Sequence, residues 1–236
     1  MIRYILFDLD GTLLPMDQDE FISAYMKLLA AKMASHGYDP KTLIGAIWAG
    51  TAAMVDNDGS CKNEDAFWAK YISILGEKVL DDKPLLEEFY AVDFVRAKEY
   101  CGFNPAAAET VKALKEAGFT IVLATNPFFP AVATEHRIRW AGLEPEDFAL
   151  ITTYESDSWC KPNPSYYIDI LLRLGAAPEE CVMVGNDAEE DMVAETLGMH
   201  VFLLTDCLLN RKNIDISQYP SGSFAELIEF IKALCA

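Results

Sequence analysis

Five short apolar runs recur along the chain, and each is followed by a polar or proline-containing turn. Nearly continuous apolar runs of this length are typical of strands buried on both faces of a sheet. They predict strands at Ile2–Phe7, Phe119–Ala124, Phe148–Thr152, Cys181–Gly185 and His200–Leu204. Because helical patterns fill most of the gaps, the sequence predicts an α/β fold with a parallel sheet covered by helices.

Two helices between the predicted strands have clear boundary signals. Asn104 and Pro105 begin one helix, which ends before Gly118, and Pro164 begins another, which ends near Gly175. Proline in the first turn and glycine after the last turn are typical helix boundaries. We therefore expect both helices to connect strands of the sheet.

The stretch from residue 16 to residue 100 breaks this alternation of strands and helices. No part of it has the pattern of a strand, whereas apolar residues keep helical spacing from Phe21 to Met33 and in three later segments. The later segments are Leu43–Val55, Ala66–Leu75 and Leu85–Val95. The sequence therefore predicts a helical domain over residues 16–100, inserted into a sheet domain formed by residues 1–15 and 101–236.

Charge and composition exclude several classes of partner. The 236 residues carry a net charge of −18, which disfavours binding to nucleic acid. The N-terminal apolar run is too short for a signal peptide, and no stretch approaches the ~20 apolar residues of a membrane span. The six cysteines form no C-x-x-C pair, which favours reduced thiols. We expect a cytoplasmic protein with neither a nucleic-acid nor a membrane partner.

Two carboxylates end the first strand, in the segment YILFDLDGTLL. A turn explains Asp10 and Gly11, because Asp-Gly is a common turn former, but it leaves Asp8 unexplained. Residues two apart in a strand share a face, so Asp8 and Asp10 would repel each other unless a positive charge lay between them. The pair therefore indicates a bound divalent cation.

Polar residues also follow three other predicted strands. Thr125 and Asn126 follow the second strand, Lys161 follows the third, and Asp187 follows the fourth. A turn would explain the Thr-Asn pair and a solvated surface group would explain the lysine, whereas Asp187 is harder to explain by structure alone, because it falls at the end of a strand beside the expected position of Asp8. In a parallel sheet, however, ligands bind at the carboxyl ends of the strands. Together these residues predict a site for an anionic oxygen and a hard cation such as Mg²⁺.

In this order, the motifs resemble those of the haloacid dehalogenase (HAD) superfamily. The matching stretches are Asp8–Leu13, Thr125-Asn126, Lys161-Pro162 and Gly185–Asp191. The resemblance covers nearly the whole chain and is most specific in the first stretch. It implies a Rossmann-like core with residues 16–100 as a C1 cap.

The resemblance implies a role for each matched residue. Asp8 would be the nucleophile and Asp10 the general acid and base, while Thr125 and Lys161 would stabilise the transferred phosphoryl group. The residues expected to contact the substrate are Asp8, Gly11, Thr125, Asn126 and Lys161.

Mg²⁺ is the cofactor that the resemblance implies. The expected metal positions are Asp8, Asp10, Asp187 and Asp191, with Asp10 binding through its backbone carbonyl and Asp191 holding water and orienting Lys161. The motif departs from the usual family pattern, because Asn186 stands directly after the glycine and Asp187 follows. Spacing to Asp191 favours Asp187 as the direct ligand, whereas distance from Gly185 favours Asn186.

An acid two residues after the nucleophile distinguishes phosphatases from dehalogenases, since a halide leaves without a proton. The resemblance therefore implies a Mg²⁺-dependent phosphatase, monomeric or dimeric, that acts on a small phosphorylated metabolite. The alternatives are a phosphomutase of the β-phosphoglucomutase type and, less favoured, a non-catalytic binding module on the same scaffold.

Aromatic residues near the expected site have two interpretations. Trp48, Met54, Trp68 and Tyr71 either line the closed site or form the core of the helical domain, and the core is the simpler interpretation. Phe128-Phe129-Pro130 is expected to begin a helix that packs against the sheet. No residue in residues 16–100 identifies a substrate.

Overall fold

A computed structural model describes residues 1–236, and its centre is a six-stranded parallel sheet of order β3-β2-β1-β4-β5-β6. The strands are Tyr4–Phe7 (β1), Thr120–Leu123 (β2), Leu150–Ile151 (β3), Cys181–Gly185 (β4), His200–Leu204 (β5) and Ser221–Gly222 (β6). The α/β fold with a parallel sheet, predicted from the apolar runs, is therefore confirmed.

Two edge strands differ from the prediction. The third strand is reduced to Leu150–Ile151, because only these residues pair fully with β2. The sixth strand, Ser221–Gly222, was not predicted, since its two residues have no apolar pattern and it exists only by pairing with Leu203 and Leu204 of β5. Both differences lie at the edges of the sheet, away from the strands that carry the candidate site.

Nine α-helices accompany the sheet. They are Gln18–Ala34 (α1), Pro40–Val55 (α2), Asn63–Leu75 (α3), Lys78–Asp81 (α4), Lys83–Glu88 (α5), Pro105–Glu116 (α6), Ala131–Trp140 (α7), Pro164–Leu174 (α8) and Phe224–Cys235 (α9). Their side-chain caps are encoded locally, as Asp17 accepts from the Glu20 N–H at α1 and Asn163 accepts from the Ser165 N–H at α8. The two helices predicted around the proline and glycine signals are α6 and α8.

Residues 16–100 contain only helical elements and turns, as the sequence predicts. A π-helical turn, Phe89–Asp93, and a 3₁₀ segment, Phe94–Tyr100, follow α5. The two ends of this segment lie side by side, since the Gly102 N–H donates to the Pro15 carbonyl at 2.7 Å. Its status as a separate cap domain stays a prediction.

The helical segment also rests on the loop that follows β3. Backbone N–H groups at the start of α3 donate to that loop, from Asn63 to the Asp157 carbonyl and from Glu64 to the Tyr154 carbonyl, each at 2.8 Å. The segment is therefore anchored both at its chain ends and at α3, and it covers one end of the sheet.

The apolar core fills both faces of the sheet. In β1, Ile5 and Phe7 pack into a large cluster that continues into the helical segment, whereas Tyr4 and Leu6 pack into a smaller cluster on the other face. A strand that buries both sets of side chains needs a continuous apolar sequence, as the first run shows.

The cysteines and the lengths of the helices can be compared with what the composition predicts. All six cysteines are free thiols, in agreement with the prediction from their spacing. Every helix is too short or too polar to cross a membrane.

Candidate active site

Three adjacent strands bring the predicted motifs to one edge of the sheet. Phe7 at the end of β1 is in register with Leu123 of β2 and Val184 of β4. The residues that follow these positions therefore emerge side by side, and the Asp8 N–H donates to the Val184 carbonyl at 2.9 Å. Asp8, Thr125 and the loop after β4 accordingly meet at the carboxyl ends of the strands, as predicted.

A buried lysine joins two of the predicted carboxylates. Lys161 Nζ lies 3.0 Å from Asp8 Oδ1 and 2.6 Å from Asp191 Oδ1. Burial alone would lower the pKa of Lys161, but the carboxylates of Asp191 and Asp8 outweigh burial and raise the pKa above its usual range. Lys161 therefore stays charged and approaches the Asp8 carboxylate from inside the protein.

The Asp10 side chain is paired with a residue that the sequence did not single out. Arg137 of α7 is fully buried, stacks over the Phe129 ring at 4.2 Å and donates from Nη1 to Asp10 Oδ2. The other carboxylate oxygen, Asp10 Oδ1, is buried without a hydrogen-bond partner. Burial raises the pKa of Asp10, the Arg137 guanidinium opposes this shift, and the charge of Asp8 adds to it. Asp10 is thus held in place at one oxygen and free to act at the other.

Thr125 and Asn126 differ in what they can contact. Thr125 lines the cavity in front of Asp8, while its backbone carbonyl accepts from the Thr152 and Tyr166 hydroxyls at 2.7 and 2.8 Å. Asn126 also lines this cavity, but its Oδ1 accepts from the Lys161 N–H and its Nδ2 donates to the Lys161 carbonyl. Asn126 therefore holds the backbone of Lys161, in addition to the substrate contact that remains a prediction for it.

Gly11 permits the turn that follows the two aspartates. Its φ is +86°, and a Cβ at this position would lie 2.3 Å from Asn186 Nδ2. A larger residue would therefore clash with the loop after β4 and strain the backbone. Gly11 lies outside the lining of the cavity in front of Asp8, so its predicted substrate contact stays a prediction.

The two candidates for the fourth motif's metal ligand occupy different environments. Asn186 uses both ends of its amide, since Oδ1 accepts from the Thr12 hydroxyl at 3.1 Å and Nδ2 donates to the Cys207 carbonyl at 2.7 Å. Asp187 Oδ1 accepts from the N–H groups of Glu189 and Glu190, whereas Asp187 Oδ2 has no hydrogen-bond partner. This arrangement favours Asp187 as the residue with a free oxygen.

Asp191 has no oxygen to spare for a metal. Its Oδ1 accepts from Lys161 Nζ, and its Oδ2 accepts from the Asp187 N–H at 3.0 Å. The contact with Lys161 agrees with the predicted orienting role, while direct metal binding by Asp191 has no support in these contacts.

The donor chemistry in front of Asp8 suits a hard cation. Asp8 Oδ2 and Asp187 Oδ2 have no hydrogen-bond partners, and both residues line one cavity together with Asp10. The structure contains no group of three or more His, Cys, Asp or Glu side chains that could hold a metal ion by themselves. A backbone carbonyl, such as that of Asp10, would have to complete the set with the two carboxylates. Carboxylate and carbonyl oxygens with room for water fit Mg²⁺ in particular.

Glu190 is a second charged residue whose position the sequence did not reveal. It lines the same cavity and accepts from Asn126 Nδ2 at 2.9 Å. Burial raises its pKa to about 8, against the opposing effect of Lys161. In the sequence, Glu190 is one of several acids at a helix start, and nothing in that pattern indicates burial.

The cavity in front of Asp8 has a volume of about 300 Å³ and extends beneath the helical segment. Trp48 and Thr51 of α2 and Phe128 and Phe129 line its outer part. Phe128 and Phe129 precede α7, as predicted for the start of a helix, and they also face this cavity. Trp48 is half exposed and is therefore the member of its group that lies outside the core of the helical segment, which was expected to contain most of the four residues.

The other three residues of this group, Met54, Trp68 and Tyr71, also differ in whether they line a cavity. Met54 is completely buried and lies outside the lining of the cavity in front of Asp8 and of the cavity next to it, as expected of a core residue. Trp68 and Tyr71 pack against each other edge to face, 5.6 Å apart, and line a neighbouring cavity. Trp48 therefore lines the cavity in front of Asp8, and Met54 belongs to the core of the helical segment.

Comparisons with known proteins agree with the arrangement of these motifs. The model of the haloacid dehalogenase-like hydrolase family matches residues 2–194. A phosphoglycolate phosphatase of Vibrio vulnificus is 25% identical over 243 residues, covering 98% of this chain and 96% of the relative.

Two solved structures share the fold. A HAD phosphatase from Thermococcus onnurineus superposes with a TM-score of 0.60 and 19% identity, over 98% of each chain. A 2-haloacid dehalogenase from Pseudomonas syringae superposes with a TM-score of 0.64 and 20% identity, over 99% of each chain. A phosphatase and a dehalogenase both share this fold at such low identity. The fold alone therefore does not identify the reaction, which has to be inferred from the residues of the site.

Proposed function

The chain belongs to the haloacid dehalogenase-like hydrolase family and is a hydrolase, and on that premise we propose that it hydrolyses a small phosphate monoester through a covalent intermediate on Asp8. The observation that carries the proposal is the placement of two carboxylates with different environments. Asp8 accepts from Lys161 at 3.0 Å, whereas Asp10 two residues later pairs with Arg137. One carboxylate is thus suited to attack and the other to proton transfer.

The first half-reaction transfers the phosphoryl group to the protein. An oxygen of the Asp8 carboxylate forms a bond to phosphorus as the bond from phosphorus to the ester oxygen breaks. The Asp10 carboxyl gives its proton to that departing oxygen, so the alcohol leaves neutral. Lys161 and Thr125 stabilise the charge that spreads over the phosphoryl oxygens.

The second half-reaction regenerates the free carboxylate. Asp10, now ionised, takes a proton from a water molecule, whose oxygen bonds to phosphorus while the bond to Asp8 breaks. Inorganic phosphate leaves, and both aspartates return to their starting protonation states. The buried pair with Arg137 keeps Asp10 at a fixed position through both steps.

Mg²⁺ is the cofactor that we propose for this site. Asp8, Asp187 and the Asp10 backbone carbonyl are the groups that would hold it, with Asp191 kept for Lys161. When bound, the ion supplies positive charge that reduces repulsion between the nucleophile and the phosphate. Asn186 is the less favoured ligand, because both ends of its amide are engaged within the protein.

Asp10 also bears on the choice of reaction. An acid that can protonate a leaving oxygen is needed for an ester but not for a halide, which favours phosphatase over dehalogenase chemistry. A phosphomutase of the β-phosphoglucomutase type would use the same residues and remains the alternative. A non-catalytic binding module is less favoured, because Asp8, Asp10 and Lys161 are all present. We place the enzyme in the cytoplasm as part of this proposal.

The test is phosphate release from a panel of phosphate monoesters, with Mg²⁺ and with a chelator. The panel contains an aryl phosphate, sugar phosphates, nucleotides and phosphoglycolate, the last because of the name of the Vibrio relative. We expect release that requires Mg²⁺ and is abolished in Asp8→Asn. Conversion of a sugar phosphate to its isomer without net phosphate release would favour the phosphomutase instead.

A further inference from the structure

A second cavity, of about 400 Å³, lies between the helical segment and the sheet and is adjacent to the cavity in front of Asp8. Ile22, Trp48, Thr51, Phe128 and Phe129 line both cavities. These five residues therefore separate the phosphate position at Asp8 from the second cavity, and the alcohol portion of a phosphate ester would have to pass between them to enter it. The second cavity is called the distal cavity below.

The distal cavity is predominantly apolar. Of the 22 residues in its lining, 16 are hydrophobic, so the alcohol portion of a substrate would meet mainly hydrocarbon and aromatic rings. Its aromatic wall includes Phe67, which stacks on Tyr71 at 5.2 Å, and Trp68, which meets Phe67 edge to face. Such a lining favours apolar groups over charged ones, because a charge would lose its hydration without gaining a partner.

The charged residues of the distal cavity disfavour a second anionic group on the substrate. The lining contains three glutamates, Glu64, Glu87 and Glu155, and one lysine, Lys83. Lys83 is already paired with Glu64 at 3.1 Å and lies 5.3 Å from the centre of the Trp68 ring. No basic side chain of this lining is therefore free to bind a carboxylate or a second phosphate.

Two side chains of the lining carry a buried polar atom without a hydrogen-bond partner. Tyr71 is completely buried, and its hydroxyl forms no hydrogen bond. Trp68 Nε1 also forms no hydrogen bond of ordinary length and angle. It lies near the Tyr154 hydroxyl, where it partly opposes the rise that burial causes in the pKa of Tyr154. A buried hydroxyl without a partner costs about 1–3 kcal/mol, so this part of the lining is not fully satisfied within the protein.

We propose that the distal cavity holds the alcohol portion of the substrate, and that the preferred substrates are phosphate monoesters of uncharged, largely apolar alcohols. This inference rests on the proposed phosphatase function and narrows its substrate class. Small esters that carry a second negative charge, such as phosphoglycolate, are then poor substrates.

A series of straight-chain alkyl phosphates tests the proposal, because the leaving alcohols differ in length and hardly at all in acidity. We expect kcat/KM to rise about threefold per added methylene from ethyl to hexyl phosphate, as each methylene enters the apolar lining. Hexyl phosphate should exceed its analogue with a terminal carboxylate by more than tenfold. Binding of hexylphosphonate and ethylphosphonate, followed by tryptophan fluorescence, should show the same order without turnover.

Two variants separate the distal cavity from general effects on the fold. Trp48→Ala opens the wall that the two cavities share and should flatten the dependence on chain length. Leu172→Ala lies on an exposed position of α8 and should leave that dependence unchanged.

The outcomes distinguish this inference from the function on which it rests. If phosphoglycolate or another dianionic ester is hydrolysed best and the alkyl series is flat, the distal cavity does not select the substrate and the inference is overturned. If no phosphate ester is hydrolysed, the phosphatase proposal fails, and the phosphonate binding order then decides the inference by itself. Equal binding of the two phosphonates would overturn it.

Discussion

Arg137 of α7 donates from its buried guanidinium to Asp10 Oδ2, two residues beyond the candidate nucleophile. The guanidinium is also stacked on Phe129, at 4.2 Å, so its orientation is fixed from a second side. A fully buried arginine without a carboxylate would be strongly unfavourable, and the same holds for the carboxylate without its cation. The pair therefore links the packing of α7 to the position of the candidate acid.

Replacing Arg137 with methionine should damage both stability and turnover. The variant leaves the Asp10 carboxylate buried without its cation, and we expect the free energy of unfolding to fall by about 3 kcal/mol. We also expect kcat to fall more than KM changes, because Asp10 acts in proton transfer rather than in binding. Chemical denaturation and steady-state kinetics measure the two effects.

Arg139→Met is the matched control on the same helix. Arg139 is exposed and pairs with Glu135 at 3.3 Å, so its loss should change the free energy of unfolding by less than about 0.5 kcal/mol. Equal effects of the two substitutions would show that the buried pair has no special role.

Asp191→Asn should slow turnover with little effect on substrate affinity. The substitution weakens the 2.6 Å contact that orients Lys161, while it leaves the contact between Lys161 and Asp8 in place. We expect kcat to fall by about 10²-fold, the range seen when a donor at a developing charge is disturbed. Asp169→Asn, which affects only an exposed pair with Arg173, serves as the control in the same assay. A normal kcat in Asp191→Asn would argue against the orienting role.

Two substitutions in the fourth motif identify the residue that binds the metal. Asp187→Asn should raise the Mg²⁺ concentration needed for half-maximal activity by tenfold or more, because it removes the charge of the carboxylate with a free oxygen. Asn186→Ala should instead lower thermal stability, since it removes the contacts to Thr12 and Cys207. The opposite pattern, with the metal requirement changed only at Asn186, would assign the ligand to that residue.

The pH dependence of stability should reveal the buried Glu190. Its pKa is about 8 in the folded protein and near 4.5 when unfolded, so the folded state holds the proton more tightly. The unfolded state then binds fewer protons between these values, and stability falls as the pH rises from about 4.5 to 8. Glu190→Gln has no charge to bury, so its free energy of unfolding should rise relative to that of the parent by an amount on the order of 4–5 kcal/mol over this range.

Denaturation at several pH values in the presence of a chelator measures this difference. Glu189→Gln is the control, because Glu189 lies at the surface beside Lys212 and its variant should follow the parent curve. Parallel curves for Glu190→Gln and the parent would show that Glu190 is not held protonated by the fold.

The sequence was most informative where local chemistry decides the structure. The apolar runs predicted β1, β2, β4 and β5, since a strand buried on both faces must be apolar throughout. The order of the strand-end motifs also placed Asp8 and Lys161 together, because parallel strands share one functional edge.

Other features depend on contacts between distant parts of the chain. Arg137 has the local pattern of a charged helix residue, and only the tertiary fold buries it beside Asp10, 127 positions away in the sequence. Ser221–Gly222 has no pattern of its own and becomes a strand by pairing with β5. Likewise, helical spacing in α2 could not tell which residues face a cavity, so Trp48, which lines one, and Met54, which is buried in the core, were not separated.

Trapping of the covalent intermediate tests the central claim most directly. The enzyme is mixed with an aryl phosphate and Mg²⁺, quenched in acid during turnover, digested and analysed by mass spectrometry. The account predicts that one phosphoryl group is found on the peptide containing Asp8, and that both the modification and phosphate release are lost in Asp8→Asn. Rapid phosphate release without modification of Asp8, or undiminished release by Asp8→Asn, would contradict the account.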